Sequence, residues 1–171
     1  LGPQLGATGN MNLGQVTIWA DHFDVIRRIA IGGGGVFIGT YEHTPLLWAD
    51  NVRGGDAHWN QVHLINKQTL ELDRIITVGK KQGTVTDPVT NKVLYKWKVP
   101  TVKDAKGKAI TPRILHAEPA NHGHWTMISE WNAGRIGIYE AKTGKFVKYI
   151  KGLTTPTFTY SIEHRQTIPG A

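Results

Sequence analysis

The sequence holds eight histidines and no cysteine. That inventory permits imidazole acid–base chemistry near neutral pH. It excludes a thiol nucleophile, Cys-ligated zinc, an iron–sulfur cluster and c-type haem attachment within this chain. No HExxH spacing, Gly-x-Ser-x-Gly elbow or Ser/His/Asp arrangement is evident. His122 and His124 flank Gly123 in a polar stretch that reads as a hairpin turn. Two residues apart, they either share a face and bridge a metal ion or stand as exposed turn histidines. His63 sits inside an apolar run and reads as a half-buried structural residue. His116 lies between Arg113 and Glu118 near the start of another. An Arg, a His and a Glu there either line the mouth of a channel or form a polar surface. Alternation along an unbroken strand places residues 114, 116 and 118 on one face, which turns His116 inward with Arg113 and Glu118 flanking it. The glycine run at 32–35 lacks the Lys and Ser/Thr of a phosphate loop, and no helix follows it. Four glycines leading into a strand let the backbone come close to a bulky ligand or a neighbouring sheet.

Strands must position these residues. Gln15-Val-Thr-Ile-Trp-Ala-Asp21 runs into Phe23-Asp-Val-Ile-Arg-Arg-Ile29. Gln61-Val-His-Leu-Ile-Asn66 and Leu70-Glu-Leu-Asp-Arg-Ile-Ile76 repeat the pattern, as do Arg135-Ile-Gly-Ile-Tyr-Glu140 and Gly144-Lys-Phe-Val-Lys-Tyr-Ile150. Each copy is an alternating strand, a polar turn and a second alternating strand. The first two copies start 46 residues apart and the last two 74 apart. A period in the forties with several strands per repeat predicts β-propeller blades. Between the hairpins, residues 35–40 pair with 46–50, and 114–118 with 125–131, so each blade has four strands. Residues 79–112 read as a loop insertion between blades, or one with its own hairpin at 92–99. The fold class is therefore all-β, a partial propeller of about three four-stranded blades. Three blades cannot close a ring, so the whole of 1–171 is expected to be one portion of a larger propeller. The remaining blades come from the same longer protein or from a partner chain.

Basic residues exceed acidic ones by 20 to 13, a net charge of +7 with a pI near 9.7. The densest basic stretches are 96–108 and 142–151. No run of five basic residues occurs, so the pattern reads as a solvated surface and not a nucleic-acid groove. The same field favours an anionic cofactor or small ligand. No apolar stretch approaches the ~20 residues of a membrane span. The chain starts at Leu1 without a visible signal-peptide pattern.

Gly32-Gly-Gly-Gly-Val-Phe-Ile-Gly-Thr40 with Leu47-Trp-Ala-Asp50, then Arg113-Ile-Leu-His-Ala-Glu118 with Ser129-Glu-Trp131, then Leu153-Thr-Thr-Pro-Thr157, stand in order along the chain. This succession resembles the C-terminal part of the haem d1 domain of the cytochrome cd1 nitrite reductases, over about residues 2–165. The resemblance implies an eight-bladed propeller with haem d1 in its central channel, and nitrite reduced to nitric oxide at the iron. It implies a cofactor wall with Phe37, Arg113, His116, Trp131, Thr157, Phe158 and Tyr160 as binding residues. Phe37 matches an aromatic on the macrocycle, Thr157 a threonine at its edge, and Tyr160 a Phe of the distal pocket. His116 becomes the candidate catalytic residue. The iron ligands are expected upstream, with no metal ligand in this chain and any c-type haem on another segment or chain. The implied partners are nitrite, a c-type cytochrome electron donor and the rest of the propeller, and the implied location is the periplasm. Neither nucleic acid nor a membrane span belongs to this expectation.

The sequence departs from that family in places. His116 stands where the reductases carry a Gln facing the haem, and Phe158 where they carry a Gly. Tyr41 replaces the start of a His-Pro pair, and the tail 162–171 is unlike theirs. A His near the haem is similar to the related proteins that complete haem d1 synthesis. The readings left open are nitrite reduction, a maturation role as dihydro-haem d1 dehydrogenase or carrier, and a cofactor-free propeller that binds protein.

Overall fold

A computed structural model describes residues 5–120 and 122–157. Thirteen strands form three antiparallel sheets. The first contains β1 (Leu5–Asn10), β2 (Gln15–Ala20) and β3 (Val25–Ala30). The second runs in chain order through β4 (Ile38–Gly39), β5 (Leu46–Asp50), β6 (Gln61–Asn66), β7 (Leu72–Val78), β8 (Gln82–Thr86) and β9 (Val93–Lys98). The third contains β10 (Ile114–Ala120), β11 (Trp125–Glu130), β12 (Arg135–Glu140) and β13 (Phe146–Lys151). The helical pieces are one turn at Gly55–His58 and a 3-10 turn at Trp131–Ala133. β4 lies against both β1 and β10, so the sheets fan out from one inner line as blades do. The fold is a partial β-propeller.

The three repeated hairpins are β2–β3, β6–β7 and β12–β13, starting at Gln15, Gln61 and Arg135 as the repeat predicts. The strand counts correct the expectation of four per blade: they are three, six and four. By the equivalence of the hairpins, β1 corresponds to β5 and β11. Among the described residues the first sheet has no counterpart of β4 and β10. In the second blade the pairing of residues 35–40 shrinks to Ile38 and Gly39. Within the stretch 79–112, β8 and β9 pair as a hairpin, and β8 pairs with β7. This hairpin extends the second blade outward.

Alternation within the second blade explains its burial on both faces. Leu46, Trp48, Val62 and Leu64 point into a core shared with Ile114, Ala117, Ile128 and Tyr139 of the third blade. Leu47, Ala49 and Ile65 point the other way, into a core shared with Val16, Ile18 and Ile29 of the first. A strand buried on both faces reads as a near-continuous apolar run, as Leu46–Ala49 does, and Asp50 closes it as a buried carboxylate. The β8–β9 hairpin contributes Trp97, 7% exposed, to the core with the third blade. Its indole stacks on Phe146 at 5.3 Å and meets Tyr139 edge-on at 5.7 Å. Gly83 stands opposite Trp97, and a Cβ there would lie 2.1 Å from the indole. Gly6 makes the same room for Trp19 in the first blade.

His63 is 3% exposed, and its Nδ1 has no hydrogen-bond partner among the described residues. Burial, with His58 nearby, lowers its pKa to about 4. A buried neutral imidazole makes folding acid-sensitive. Stability is complete above the ordinary value near 6.5 and falls as the pH drops to about 4, by about 3 kcal/mol. The difference in unfolding free energy between His63→Leu and the parent should shift in the variant's favour by that amount across this window. A difference independent of pH would contradict the assignment. Trp97→Ala should cost about 3–5 kcal/mol in urea unfolding of the full-length protein. A cost below ~1 kcal/mol would show that the outer hairpin does not bind the blades together.

Candidate functional site

The inner ends of the second and third blades meet at one carboxylate. Asp50 ends β5 and is 0% exposed. Its Oδ1 accepts the backbone N–H groups of Val36 (2.8 Å) and Phe37 (3.2 Å), which lead into β4. Its Oδ2 accepts the N–H of His116 in β10 at 3.0 Å. The Asp50 N–H donates in turn to the Phe37 carbonyl at 3.0 Å. Burial pushes the carboxyl above the ordinary aspartate range, while the N–H groups of Val36, His116, Phe37 and Val52 pull the other way.

The glycine run is required by this joint. A Cβ on Gly33 would lie 2.2 Å from the Gly54 Cα, and one on Gly35 2.7 Å from the Asp50 carbonyl. Gly9 makes similar room for the Gly35 carbonyl. The run therefore serves close approach between neighbouring backbones.

His116 corrects the assumption of an unbroken strand. The β10–β11 register shifts between Leu115 and Ala117, and His116 is the extra residue, with a left-handed φ of 59°. Ile114 and Ala117 both enter the core, although positions three apart face opposite sides of a regular strand. A non-glycine residue held left-handed costs about 1–2 kcal/mol. The hydrogen bond to Asp50 holds it there. The imidazole, in a residue 9% exposed, meets the Phe37 ring edge-on at 5.1 Å. Its Nε2 is 3.7 Å from Glu118 Oε2. Burial lowers the His116 pKa below the ordinary histidine value.

Arg113 belongs to a different group. Its guanidinium donates to the Val52 carbonyl at 3.0 and 3.3 Å and lies near the Trp59 and Trp131 rings, at 5.4 and 5.8 Å. Trp131, expected in a strand, occupies the 3-10 turn and is 37% exposed. Thr157 is exposed, and its hydroxyl donates to the Thr155 carbonyl at 3.2 Å. Phe158 and Tyr160 lie outside the described residues. The structure thus brings Phe37, His116 and Glu118 together and sets Arg113 with Trp131. His122 meets Tyr41, with Nδ1 3.4 Å from the hydroxyl. Among the described residues no group of three or more His, Asp or Glu side chains is arranged to hold a metal ion. No described helix is long and apolar enough to cross a membrane.

Sequence reasoning missed Asp50 as the organising group. The one available signal was a carboxylate closing the apolar run Leu47-Trp-Ala-Asp50. Asp50→Asn replaces one acceptor oxygen by a donor that faces backbone N–H groups. Each N–H left unpaired should cost about 1–3 kcal/mol in chemical denaturation. A neutral substitution would show that the joint is held by other contacts.

A separate cleft lies between the first and second blades, and neither Phe37, His116 nor Glu118 lines it. It is about 260 Å³ and is lined by Gly6, Ile18, Ile38, Leu47, Ile65 and Lys67 among others. An aromatic ring beside a nearly buried imidazole at the inner ends of the blades can pack on one side of a flat macrocycle.

The comparisons with known proteins bear on the fold and the family. The solved structure "Dihydro-heme d1 dehydrogenase NirN in complex with DHE" superposes with a TM-score of 0.65 at 19% identity. The match covers 93% of this chain and 28% of that one, so the chain spans little more than a quarter of the similar structure. No curated protein matches the sequence. The sequence pattern of the family described as Cytochrome D1 heme domain matches residues 4–165. With nearly its whole length matched, the chain belongs to the cytochrome d1 haem domain family.

Proposed function

We propose that this chain forms one wall of a haem d1 site in an oxidoreductase that reduces nitrite to nitric oxide. The observation that carries the reading is the meeting of Phe37, His116 and Glu118 on the inner strands of adjacent blades. Family membership supports the cofactor. When bound, haem d1 supplies the electron chemistry at its iron. The chain's own residues do the rest. Phe37 gives a flat apolar surface, and Asp50 fixes both Phe37 and His116 through their backbones. His116 holds or moves a proton at Nε2, and the Glu118 carboxylate faces that nitrogen at 3.7 Å. Nitrite reduction takes up protons and releases water, and His116 can assist that uptake without being its essential donor. The same reading includes a periplasmic location, a c-type cytochrome donor and further blades that supply the iron ligands.

One observation favours a second reaction. A lowered pKa leaves His116 neutral near pH 7, ready to accept a proton more than to give one. Oxidation of a dihydro-haem d1 ring releases protons and suits such a base. The similar solved structure is named as a dihydro-haem d1 dehydrogenase. This supports a maturation role on the same site.

His116→Gln in the haem-loaded full-length protein separates the two. A nitrite reductase should keep most of its rate, because the resembling family carries Gln there. A dehydrogenase should lose about 10²–10⁴-fold. With the base reading, the wild-type dehydrogenase rate is full above pH 6.5 and falls only on the acid side of that value. Wild-type rates of both reactions in the variant would remove His116 from the chemistry. A full-length protein that takes up no haem d1, judged by its visible spectrum, would leave a protein-binding propeller.

A further inference from the structure

The charge of this chain is segregated. Residues 80–108 and 142–151 together hold twelve of its thirteen lysines and only two acids, Asp87 and Asp104, a net of +10. The rest carries eight basic and eleven acidic residues, a net of −3, which completes the overall +7. None of the seven arginines lies in the two basic segments. All twelve lysines are exposed, and among the described residues none has an ion-pair partner. The two acids are tied into turns. Asp87 Oδ1 accepts the N–H groups of Val89 and Thr90, and Asp104 Oδ1 those of Lys106 and Lys108.

The fold gathers these segments. β9 and β13 are the last strands of their sheets, joined by the Trp97–Phe146 stack and by the Trp97 indole N–H donating to the Tyr149 hydroxyl at 3.2 Å. The Lys81 carbonyl accepts the Val99 N–H, and Gln82 stands opposite Lys98. Arg135, opposite Lys151, donates to the Pro100 carbonyl at 2.6 Å. Lys80, Lys81, Lys98 and Lys151 are thereby drawn to one end of a common outer rim. The rim belongs to the strands farthest from β4 and β10.

We propose that this rim docks on an anionic lipid surface. Lysines that only guard edge strands would sit on β9 and β13. Here Lys80 and Lys81, and Lys103, Lys106 and Lys108, stand in the flanking turns. Specific protein interfaces are enriched in Arg and depleted in Lys, the reverse of this rim. Single-stranded nucleic acid is gripped by exposed aromatic rings, whereas Trp97 is buried and Phe146 packs against it. A bilayer asks only for a dispersed positive field, each lysine near the surface strengthening binding about fivefold. One aliphatic side chain among the lysines suits the headgroup boundary: Leu94 of β9, between Lys92 and Lys96, is 49% exposed.

Co-sedimentation of the full-length protein with vesicles tests this. The probes are phosphatidylcholine alone and a mixture of three parts phosphatidylcholine to one part phosphatidylglycerol. Binding is expected only to the mixture and should vanish at about 0.5 M sodium chloride, where screening shortens the field to a few ångströms. The pair Lys80→Gln with Lys81→Gln, and separately Lys106→Gln with Lys108→Gln, should each lower partitioning about tenfold or more. Arg27→Gln with Arg28→Gln, which removes equal charge elsewhere, should leave it near wild type. Equal binding to both vesicle types, no binding, or equal losses from the arginine pair would overturn the proposal. So would tighter binding to duplex DNA than to the mixed vesicles at the same salt.

Discussion

The Asp50 carboxylate is the constraint on which the inner architecture depends. One side chain accepts backbone N–H groups from the segment before β4 and from the bulge of β10, and so locks two blades in register. A buried carboxylate is unfavourable by itself, and only several aligned donors make it tolerable. The glycine run follows from this. The segment 32–35 must pass close enough to the Asp50 and Gly54 backbones that no Cβ fits. The left-handed His116 follows as well, because its N–H must turn toward Asp50 while Ile114 and Ala117 stay in the core.

At the outer end a second polar joint performs the corresponding task. Glu130 and Arg135 are almost wholly buried, with Arg135 Nε 2.5 Å from Glu130 Oε2. Arg135 also reaches the Pro100 carbonyl and lies 4.3 Å from the Tyr149 ring centre. Burial pushes the Glu130 carboxyl up, and the guanidinium opposes it. Breaking such a pair leaves an uncompensated buried charge, so its role is to specify how the β8–β9 hairpin seats on the third blade. The Trp97, Tyr139, Phe146 and Tyr149 rings supply the apolar area around it. The interface of the second and third blades therefore combines an apolar seam with two charged joints, each with partners on both blades.

These joints divide the molecule by chemistry. The inner ends carry a nearly buried imidazole, its carboxylate and an aromatic ring, held by backbone contacts. The outer rim carries exposed lysines on edge strands and turns. A low-dielectric inner site strengthens each polar interaction there, while the lysine field acts through solvent and is screened by salt. The two regions can therefore respond to different partners without competing for the same residues.

The sequence by itself determined the all-β class, the three hairpins and their starting residues. An apolar–polar period of two is a local signal, and burial of a strand face needs nothing more. It also pointed to Phe37, His116 and Glu118, and to the need for backbone closeness at 32–35. Tertiary structure alone decided the strand counts, because β8 and β9 are polar outside and read as a loop insertion, or one with a hairpin at 92–99, until Trp97 finds its core. It separated Arg113 from His116, because the Arg113 guanidinium, just ahead of β10, turns to the Val52 carbonyl. It also revealed Asp50 as the joint. The donors to Asp50 lie 13, 14 and 66 residues away, and a hydrogen bond across that separation leaves no periodic trace in the chain. Alternation is written residue by residue, whereas the pairing of one buried carboxylate with distant N–H groups exists only once the blades have met.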